Sequence, residues 1–343
     1  MNVVSGKGIS FTLDSDETII DAASGPSVAC LGHHQPEVTE AMLRHLNSNI
    51  AYAYSGSAFT TNATEELASL LLQGRPGGLS KVIFVNSGSE ATDAAVKLVI
   101  HYWQEKGENR THFIARRQSY HGNTIGALSV SGHEGRRGIC KSFMSSNVSF
   151  VDPCYEYRMR KSDETSGYCV DRLGQQPEQE ILRVGPEKVA AFVAETISGT
   201  TLGCVTAVHG YFKRIREICD RYGVLLILDE IMCGMGNTGT MHAWQDEGIR
   251  GPDIQTIGKA LGGGFIPLSA ALLHEKIFDA LCGGSKALAH GHTFQAHPLA
   301  CAAAVAVQKI IQRDNLLEKL LHARFACLPF VGDIRGRGLF RVV

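Results

Sequence analysis

The sequence lacks an excess of charge of either sign, and this absence narrows the range of partners. Among its 343 residues, 33 are lysine or arginine and 34 are aspartate or glutamate, so the formal net charge is −1. Proteins that bind nucleic acid usually carry a basic excess or a basic stripe. The balance therefore argues against a nucleic-acid partner and against a protein that charge holds at a membrane surface.

Long apolar runs and a secretion signal are also missing. No apolar stretch approaches the ~20 residues that a membrane-spanning helix needs. Residues 1–17 carry polar and acidic side chains instead of a basic flank followed by an apolar run. None of the ten cysteines forms a Cys-x-x-Cys pair, and several lie inside apolar runs. We therefore expect reduced thiols, a cytoplasmic location and no membrane partner.

Short apolar runs alternate with helix-like segments through the middle of the chain. The predicted strands are 81–86, 111–115, 189–195, 224–228, 254–257 and 267–273. One predicted helix follows the first strand and ends near residue 106, and two others cover 209–222 and 298–313. The polar stretch 151–188 is predicted to be a long surface excursion. This alternation predicts an α/β fold with a mostly parallel sheet that is flanked by helices on both faces.

The length is typical of about two domains. We expect residues 46–313 to form a large domain around the main sheet. The chain ends, 1–45 and 314–343, are expected to form a smaller α/β domain together. Ligands of such sheets bind beyond the carboxyl ends of the strands, so we expect the functional residues among the polar residues that follow each strand.

Two polar segments follow predicted strands in the first half of the chain. Ser87, Gly88 and Ser89 open a helix, where free N–H groups bind anions and small residues allow close approach. The alternative is that Ser87 or Ser89 simply caps this helix. Tyr120 and His121 precede a glycine, and an aromatic ring at a strand end can stack on a planar ligand. The alternative is a core tyrosine beside a turn.

Two further segments follow strands in the second half. Asp229 comes directly after the apolar run VLLIL, where a carboxylate needs a partner, such as a protonated ring nitrogen. Lys259 lies among glycines after the next strand, where low polarity would depress its pKa and leave a nucleophilic amine. Ordinary explanations are a capping aspartate and a solvated lysine. A nucleotide-hydrolysing P-loop is excluded, because Asp253 and Ala260 occupy the positions of its glycine and hydroxyl residue.

The four segments, in this order, resemble the class III aminotransferases, which are pyridoxal-phosphate enzymes of fold type I. The resemblance is carried by NSGSEATDAAVKL, LLILDEIMCGMGNTG, PDIQTIGKALGGGFIPL and HGHTFQAHPLACAAA. It implies an enzyme that moves an amino group from an amine, an amino acid or an ω-amino acid to a 2-oxo acid or aldehyde by a ping-pong mechanism. It also implies that residues 46–313 bind pyridoxal 5′-phosphate.

The resemblance implies a role for each site residue. Lys259 forms the Schiff base with the cofactor and moves a proton, and Asp229 holds the pyridine nitrogen protonated. The remaining cofactor-binding residues that it implies are Ser87, Gly88, Ser89, Tyr120, His121, Glu195, Ile231 and Thr293. Tyr120 and Ile231 would cover the two ring faces. Thr293 would reach the phosphate from the neighbouring subunit of a homodimer.

Some alternatives stay open. The same cofactor chemistry serves aminomutases and decarboxylases. The family continues well beyond the motif at 335–338, whereas this sequence ends at Val343, so we expect an incomplete smaller domain. A truncated, non-catalytic homologue is therefore a further possibility. No metal is expected, since His290, His292 and His297 lack the accompanying ligands of a zinc site.

Overall fold

A computed structural model of the chain describes residues 1–56, 58–314, 316, 335–338 and 340–342. Most of the predicted C-terminal segment 314–343 therefore lies outside the described residues. Two short strands near the end of the chain, Arg335–Arg337 and Phe340–Val342, pair antiparallel.

The chain begins with a small antiparallel sheet of three strands. These are β1 (Val3–Lys7), β2 (Ser10–Leu13) and β3 (Thr18–Ile20). An isolated bridge between Gly8 and His33 ties this sheet to the segment that follows it.

The main sheet has seven strands. They are β4 (Leu79–Val85), β5 (His112–Arg116), β6 (Val148–Val151), β7 (Val189–Glu195), β8 (Leu225–Asp229), β9 (Ile254–Ile257) and β10 (Ser269–His274). Their spatial order is β4-β10-β9-β8-β7-β5-β6. Only β10 runs antiparallel to its neighbours in this sheet, so the predicted mostly parallel sheet is confirmed.

Helices pack on the main sheet and on one another. They are α1 (Ser24–Ser27), α2 (Pro36–Leu46), α3 (Asn62–Leu71), α4 (Gly88–Glu105), α5 (Ile125–Val130), α6 (Glu134–Cys140), α7 (Glu156–Met159), α8 (Ser166–Val184), α9 (Tyr211–Tyr222), α10 (Glu275–Gly283) and α11 (Pro298–Arg313). None of the helices in the described part of the chain combines the length and the hydropathy that crossing a membrane requires.

The core lies on both faces of the main sheet because successive side chains of a strand point to opposite sides. In β8, Leu226 belongs to the core cluster on the side of α9, whereas Ile227 belongs to the cluster on the side of α4. Each of the five residues of β8 is buried. This double burial explains the continuous apolar run in the sequence, which is typical of a central parallel strand.

The prediction for residues 151–188 was wrong. Instead of a surface excursion, half of this segment is the 19-residue helix α8, which packs on the main sheet. Its buried residues include Cys169, Leu173, Pro177 and Ile181, which recur every four positions and form one stripe against the sheet. The proline inside the helix and the polar residues on its outer face concealed this pattern.

Candidate active site

Three neighbouring parallel strands end at one edge of the main sheet and carry polar residues there. Glu195, the last residue of β7, lies opposite Asp229, the last residue of β8, which lies opposite Thr256 of β9. A cavity of about 420 Å³ opens beyond this edge. Eight of the ten residues singled out from the sequence line it, namely Gly88, Ser89, Tyr120, His121, Glu195, Asp229, Ile231 and Lys259.

The Asp229 carboxylate is buried and held by two hydrogen bonds. Its Oδ2 lies 2.7 Å from Nδ1 of His121, and its Oδ1 accepts the backbone N–H of Ile231 at 3.0 Å. The His121 backbone is itself fixed, because its N–H donates to Ser131 Oγ and its carbonyl accepts from Thr92 Oγ1. Since a carboxylate only accepts hydrogen bonds, the geometry places the His121 proton on Nδ1.

Lys259 follows β9 in a conformation that few residues adopt. Its φ is +47°, and it begins a single 3₁₀ turn, Lys259–Leu261. The preceding Gly258 has no room for a side chain, since a Cβ there would lie 2.4 Å from Ser269 Oγ. Burial lowers the pKa of the Lys259 amine, while the nearby carboxylates of Asp229 and Glu195 oppose this shift. A lowered pKa increases the neutral, nucleophilic fraction of the amine.

Glu195 is a second buried carboxylate of the cavity. Its Oε1 accepts the N–H of Gly199 at 3.0 Å, and its Oε2 accepts from Ser198 Oγ at 3.4 Å. Burial raises the pKa of the Glu195 carboxyl, and His121 is the largest influence that lowers it. The two carboxylates thus end adjacent strands. The His121 ring bonds to Asp229 and lowers the pKa of Glu195.

The N-terminus of α4 points its first turn at the same cavity. Ser87 is the capping residue, since its Oγ accepts the N–H of Glu90 at 3.2 Å. The N–H groups of Gly88 and Ser89 lie in the first turn, where a helix provides no acceptor for them. Both residues line the cavity, so their N–H groups offer an anion site there.

Close packing explains two of the glycines around this helix end. A Cβ on Gly88 would lie 2.8 Å from Cδ1 of Ile231, so the isoleucine side chain packs directly over the helix start. Gly122 has a φ of +137°, and a Cβ there would lie 2.8 Å from Cα of Ser89. The turn after Tyr120 therefore approaches the helix start as closely as two backbones allow.

Two predicted residues lie apart from the cavity of this chain. The Ser87 side chain serves as the helix cap, which was the alternative explanation for it. Thr293 is exposed and does not line the cavity, and its carbonyl accepts a hydrogen bond from the Tyr52 hydroxyl.

The sequence analysis missed several residues that line the cavity. These are Pro26, Gly122, Arg136, Ile197, Thr200, Met232 and Ser269. Arg136 is the charged residue among them. Its guanidinium lies 4.8 Å from the ring centre of Tyr120, and Nη1 donates to the Tyr120 hydroxyl at 3.2 Å. A cationic residue two positions into a polar helix gave no sequence signal that distinguished it from a solvated one.

Glu230 is a further residue that was missed, although it directly follows Asp229. Its fully buried carboxylate accepts from Thr196 Oγ1 (2.7 Å), the Ala243 N–H (2.8 Å), the Trp244 N–H (2.8 Å) and Gln255 Nε2 (2.7 Å). Burial raises its pKa to about 7, against the lowering effect of these hydrogen bonds. The contacts join the residue that follows β7, strand β9 and the 243–247 turn, which gives Glu230 a supporting position next to Asp229.

Comparisons with known proteins agree with this geometry. The family model described as Aminotransferase class-III matches residues 1–343. An uncharacterized aminotransferase of Schizosaccharomyces pombe is 48% identical over 349 residues, which cover 98% of this chain and 75% of that protein.

Solved structures of transaminases are similar to the fold. The ω-transaminase from Pseudomonas jessenii in complex with PMP has a TM-score of 0.92 and 33% identity, over 99% of this chain and 77% of that one. An amine transaminase from an uncultivated Pseudomonas species in its PLP-bound form has a TM-score of 0.90 and 29% identity, over 98% of this chain and 79% of that one.

Proposed function

Because the chain belongs to the class III aminotransferases, which are pyridoxal-phosphate enzymes, we propose that the cavity beyond β7, β8 and β9 is its active site. One observation carries the proposal: Lys259 and Asp229, which come from different strand ends, line the same cavity. The reaction moves an amino group from an amine or amino-acid donor to an oxo acceptor.

The residues around the cavity suit the three chemical parts of the cofactor. Gly88 and Ser89 offer backbone N–H groups for the phosphate. Each oxygen of Asp229 accepts one hydrogen bond within the described residues and can accept another, which leaves capacity for a protonated ring nitrogen. Lys259 supplies the amine that reacts with the aldehyde. The donor set therefore fits pyridoxal phosphate.

Each residue of the site has a separable task. When bound, the cofactor supplies an electrophilic carbon and a protonated ring that accepts electron density. Asp229 keeps the proton on the ring nitrogen, and His121 orients Asp229. The Lys259 amine would hold the cofactor and, with a donor bound in its place, would move a proton at the carbon that bears the amino group. Tyr120 and Ile231 are proposed to cover the two ring faces, and Glu195 to lie near the ring's phenolic oxygen.

We also propose a homodimer in which Thr293 of a second copy completes the phosphate site. Its support is the position of Thr293, which is exposed beside the exposed ring of Phe294. The rings of Tyr52 and Phe294 lie 6.0 Å apart and add to this apolar surface, which a partner would cover. The division into a large domain, 46–313, and a smaller domain from both chain ends remains part of the proposal.

The state of the cysteines supports a cytoplasmic location. Among the nine cysteines of the described residues, no disulfide joins any two, and six are buried. Free thiols persist in reducing compartments, whereas secreted proteins tend to pair them.

An amino-donor panel tests the proposed function. Purified chain, loaded with pyridoxal phosphate, is incubated with amines, ω-amino acids and diamines, and with pyruvate or 2-oxoglutarate as acceptor. We expect alanine or glutamate to form with the wild type and with Lys213→Met, an exposed lysine on α9. Lys259→Met should abolish the product. Release of carbon dioxide, or isomerisation without an acceptor, would indicate the decarboxylase or aminomutase instead.

A variant of Asp229 separates binding from chemistry in the same assay. Asp229→Asn should still bind the cofactor but lose most of the turnover, because a neutral amide does not hold a proton on the ring nitrogen. Nearly unchanged turnover in this variant would refute the role of Asp229.

A further inference from the structure

A cation lies at the wall of the cavity without a carboxylate beside it. Arg136, on α6, reaches back over the ring of Tyr120, with Cζ 4.8 Å from the ring centre. Its Nη1 donates to the Tyr120 hydroxyl at 3.2 Å. Among the described residues, no acidic side chain lies within 4.0 Å of its guanidinium nitrogens, and Arg136 is exposed at the cavity.

The neighbouring arginine shows what a structural role looks like in this helix. Arg137 Nη1 donates to the carbonyl oxygens of Leu128, Ser129 and Ser131, at 3.1, 2.8 and 2.7 Å. Its donors hold the end of α5 against α6. Within the described residues, the Arg136 side chain donates to no backbone carbonyl. It therefore does not hold two elements together as Arg137 does.

The carboxylates of the cavity are engaged by other groups. Asp229 is bonded to His121 and to the Ile231 N–H, and Glu195 is bonded to the Gly199 N–H. Neither satisfies Arg136. An arginine that keeps most of its five N–H donors and always carries its charge is suited to bind a carboxylate.

We infer that Arg136, together with the Tyr120 hydroxyl, binds the carboxylate of an amino-acid donor and makes the enzyme prefer such donors over plain amines. The hydroxyl accepts from Arg136, so its own proton is available to the same carboxylate. This inference rests on the proposed function, because it assigns the donor class of the same site. Arg136 acts here as a specificity-determining residue.

A matched pair of donors tests the inference. The probes are 5-aminopentanoate and pentylamine, which differ in the distal carboxylate, and kcat/KM is measured for each with one acceptor. We expect the ratio of the two values to fall about 10-fold in Arg136→Leu, since a charged hydrogen-bond partner is lost at a partly solvated site. Arg136→Lys keeps the charge without the planar guanidinium, so its ratio should lie between those of the wild type and Arg136→Leu. The pentylamine value should change by less than about 2-fold.

A binding measurement gives a readout apart from turnover. Calorimetric titration of the cofactor-loaded chain with glutarate, an inert dicarboxylate, should show about 10-fold weaker binding in Arg136→Leu. Arg117→Leu is the control, because Arg117 is an exposed arginine that pairs with Asp152 outside the cavity. It should match the wild type in both assays.

The possible outcomes separate this inference from the proposed function. An unchanged donor ratio in Arg136→Leu, or an equal loss for both donors, would overturn the role of Arg136. An equal loss accompanied by weaker cofactor binding would assign Arg136 to the cofactor phosphate instead. If no donor of the panel transferred its amino group in the wild type, while glutarate binding still depended on Arg136, the proposed function would fail and the carboxylate site would stand.

Discussion

The carboxylate of Asp229 and the imidazole of His121 form a buried pair, with Oδ2 and Nδ1 2.7 Å apart across 108 positions of sequence. Both side chains line the cavity, and both are almost fully enclosed. The pair fixes the direction of the Asp229 oxygens before any ligand binds. Preorganisation of this kind lowers the cost of forming the bond to a ring nitrogen.

The pair makes a prediction about two variants of His121. His121→Leu removes the donor, and we expect turnover to fall about 10- to 100-fold, the effect of losing a hydrogen bond to a charged group. His121→Asn presents an amide N–H at a similar distance from the backbone and should retain most of the activity. The measurement is kcat with saturating cofactor. Equal losses in the two variants would show that ring shape, and not the hydrogen bond, matters.

The contact between Gly122 and Ser89 predicts a specific loss of cofactor affinity. In Gly122→Ala, the new Cβ would lie 2.8 Å from Cα of Ser89 and push the helix start away from the cavity. We expect about 10-fold weaker binding of pyridoxal phosphate, measured by equilibrium dialysis, because the phosphate site moves. Gly107→Ala is the control, since its φ is also positive (+72°) but nothing lies within 4 Å of its Cβ. Equal affinities in the two variants would contradict the prediction.

The environment of Lys259 predicts how cofactor uptake depends on pH. Only the neutral amine attacks an aldehyde, and burial holds the pKa of Lys259 below the ordinary value of 10.5. The rate of covalent uptake by the cofactor-free chain should therefore rise with pH and reach half its maximum below pH 10.5. The measurement is the growth of the visible absorption band after mixing.

The same experiment on a carboxylate variant fixes the sign of the electrostatic effect. Glu195 favours the protonated amine, so Glu195→Gln should move the midpoint to lower pH. Glu187→Gln, an exposed residue that precedes β7, should leave it unchanged. A midpoint that moves to higher pH in Glu195→Gln would contradict the proximity of this carboxylate to the lysine.

The strands that carry the site could be predicted from sequence because their burial is local and continuous. The predicted and observed bounds agree for β7 (Val189–Glu195) and β9 (Ile254–Ile257), and differ by one residue at each end for β8 (Leu225–Asp229). Each of these strands is buried on both faces, so a short apolar run marks it without ambiguity. The ends of these apolar runs predicted the edge of the sheet at which Asp229 and its neighbours lie.

The residues that were missed depend on contacts between distant parts of the chain. Arg136 lines the cavity because it lies over the ring of Tyr120, and only the packing of α6 places it there. Glu230 accepts hydrogen bonds from the residue after β7, from β9 and from the 243–247 turn, and no spacing in the sequence predicts that these donors converge. Helix α8 was missed for a different reason: Pro177 belongs to its buried stripe, but a proline disfavours a helix interior, and the outer face of the helix is polar.

The site of covalent attachment tests the central claim most directly. The chain loaded with pyridoxal phosphate is reduced with borohydride, which makes the bond to the lysine permanent, and its peptides are mapped by mass spectrometry. The account predicts one modified peptide, with the phosphopyridoxyl group on Lys259, and no such peptide from Lys259→Met. A group found mainly on another lysine, or a wild-type chain that carries none, would contradict it.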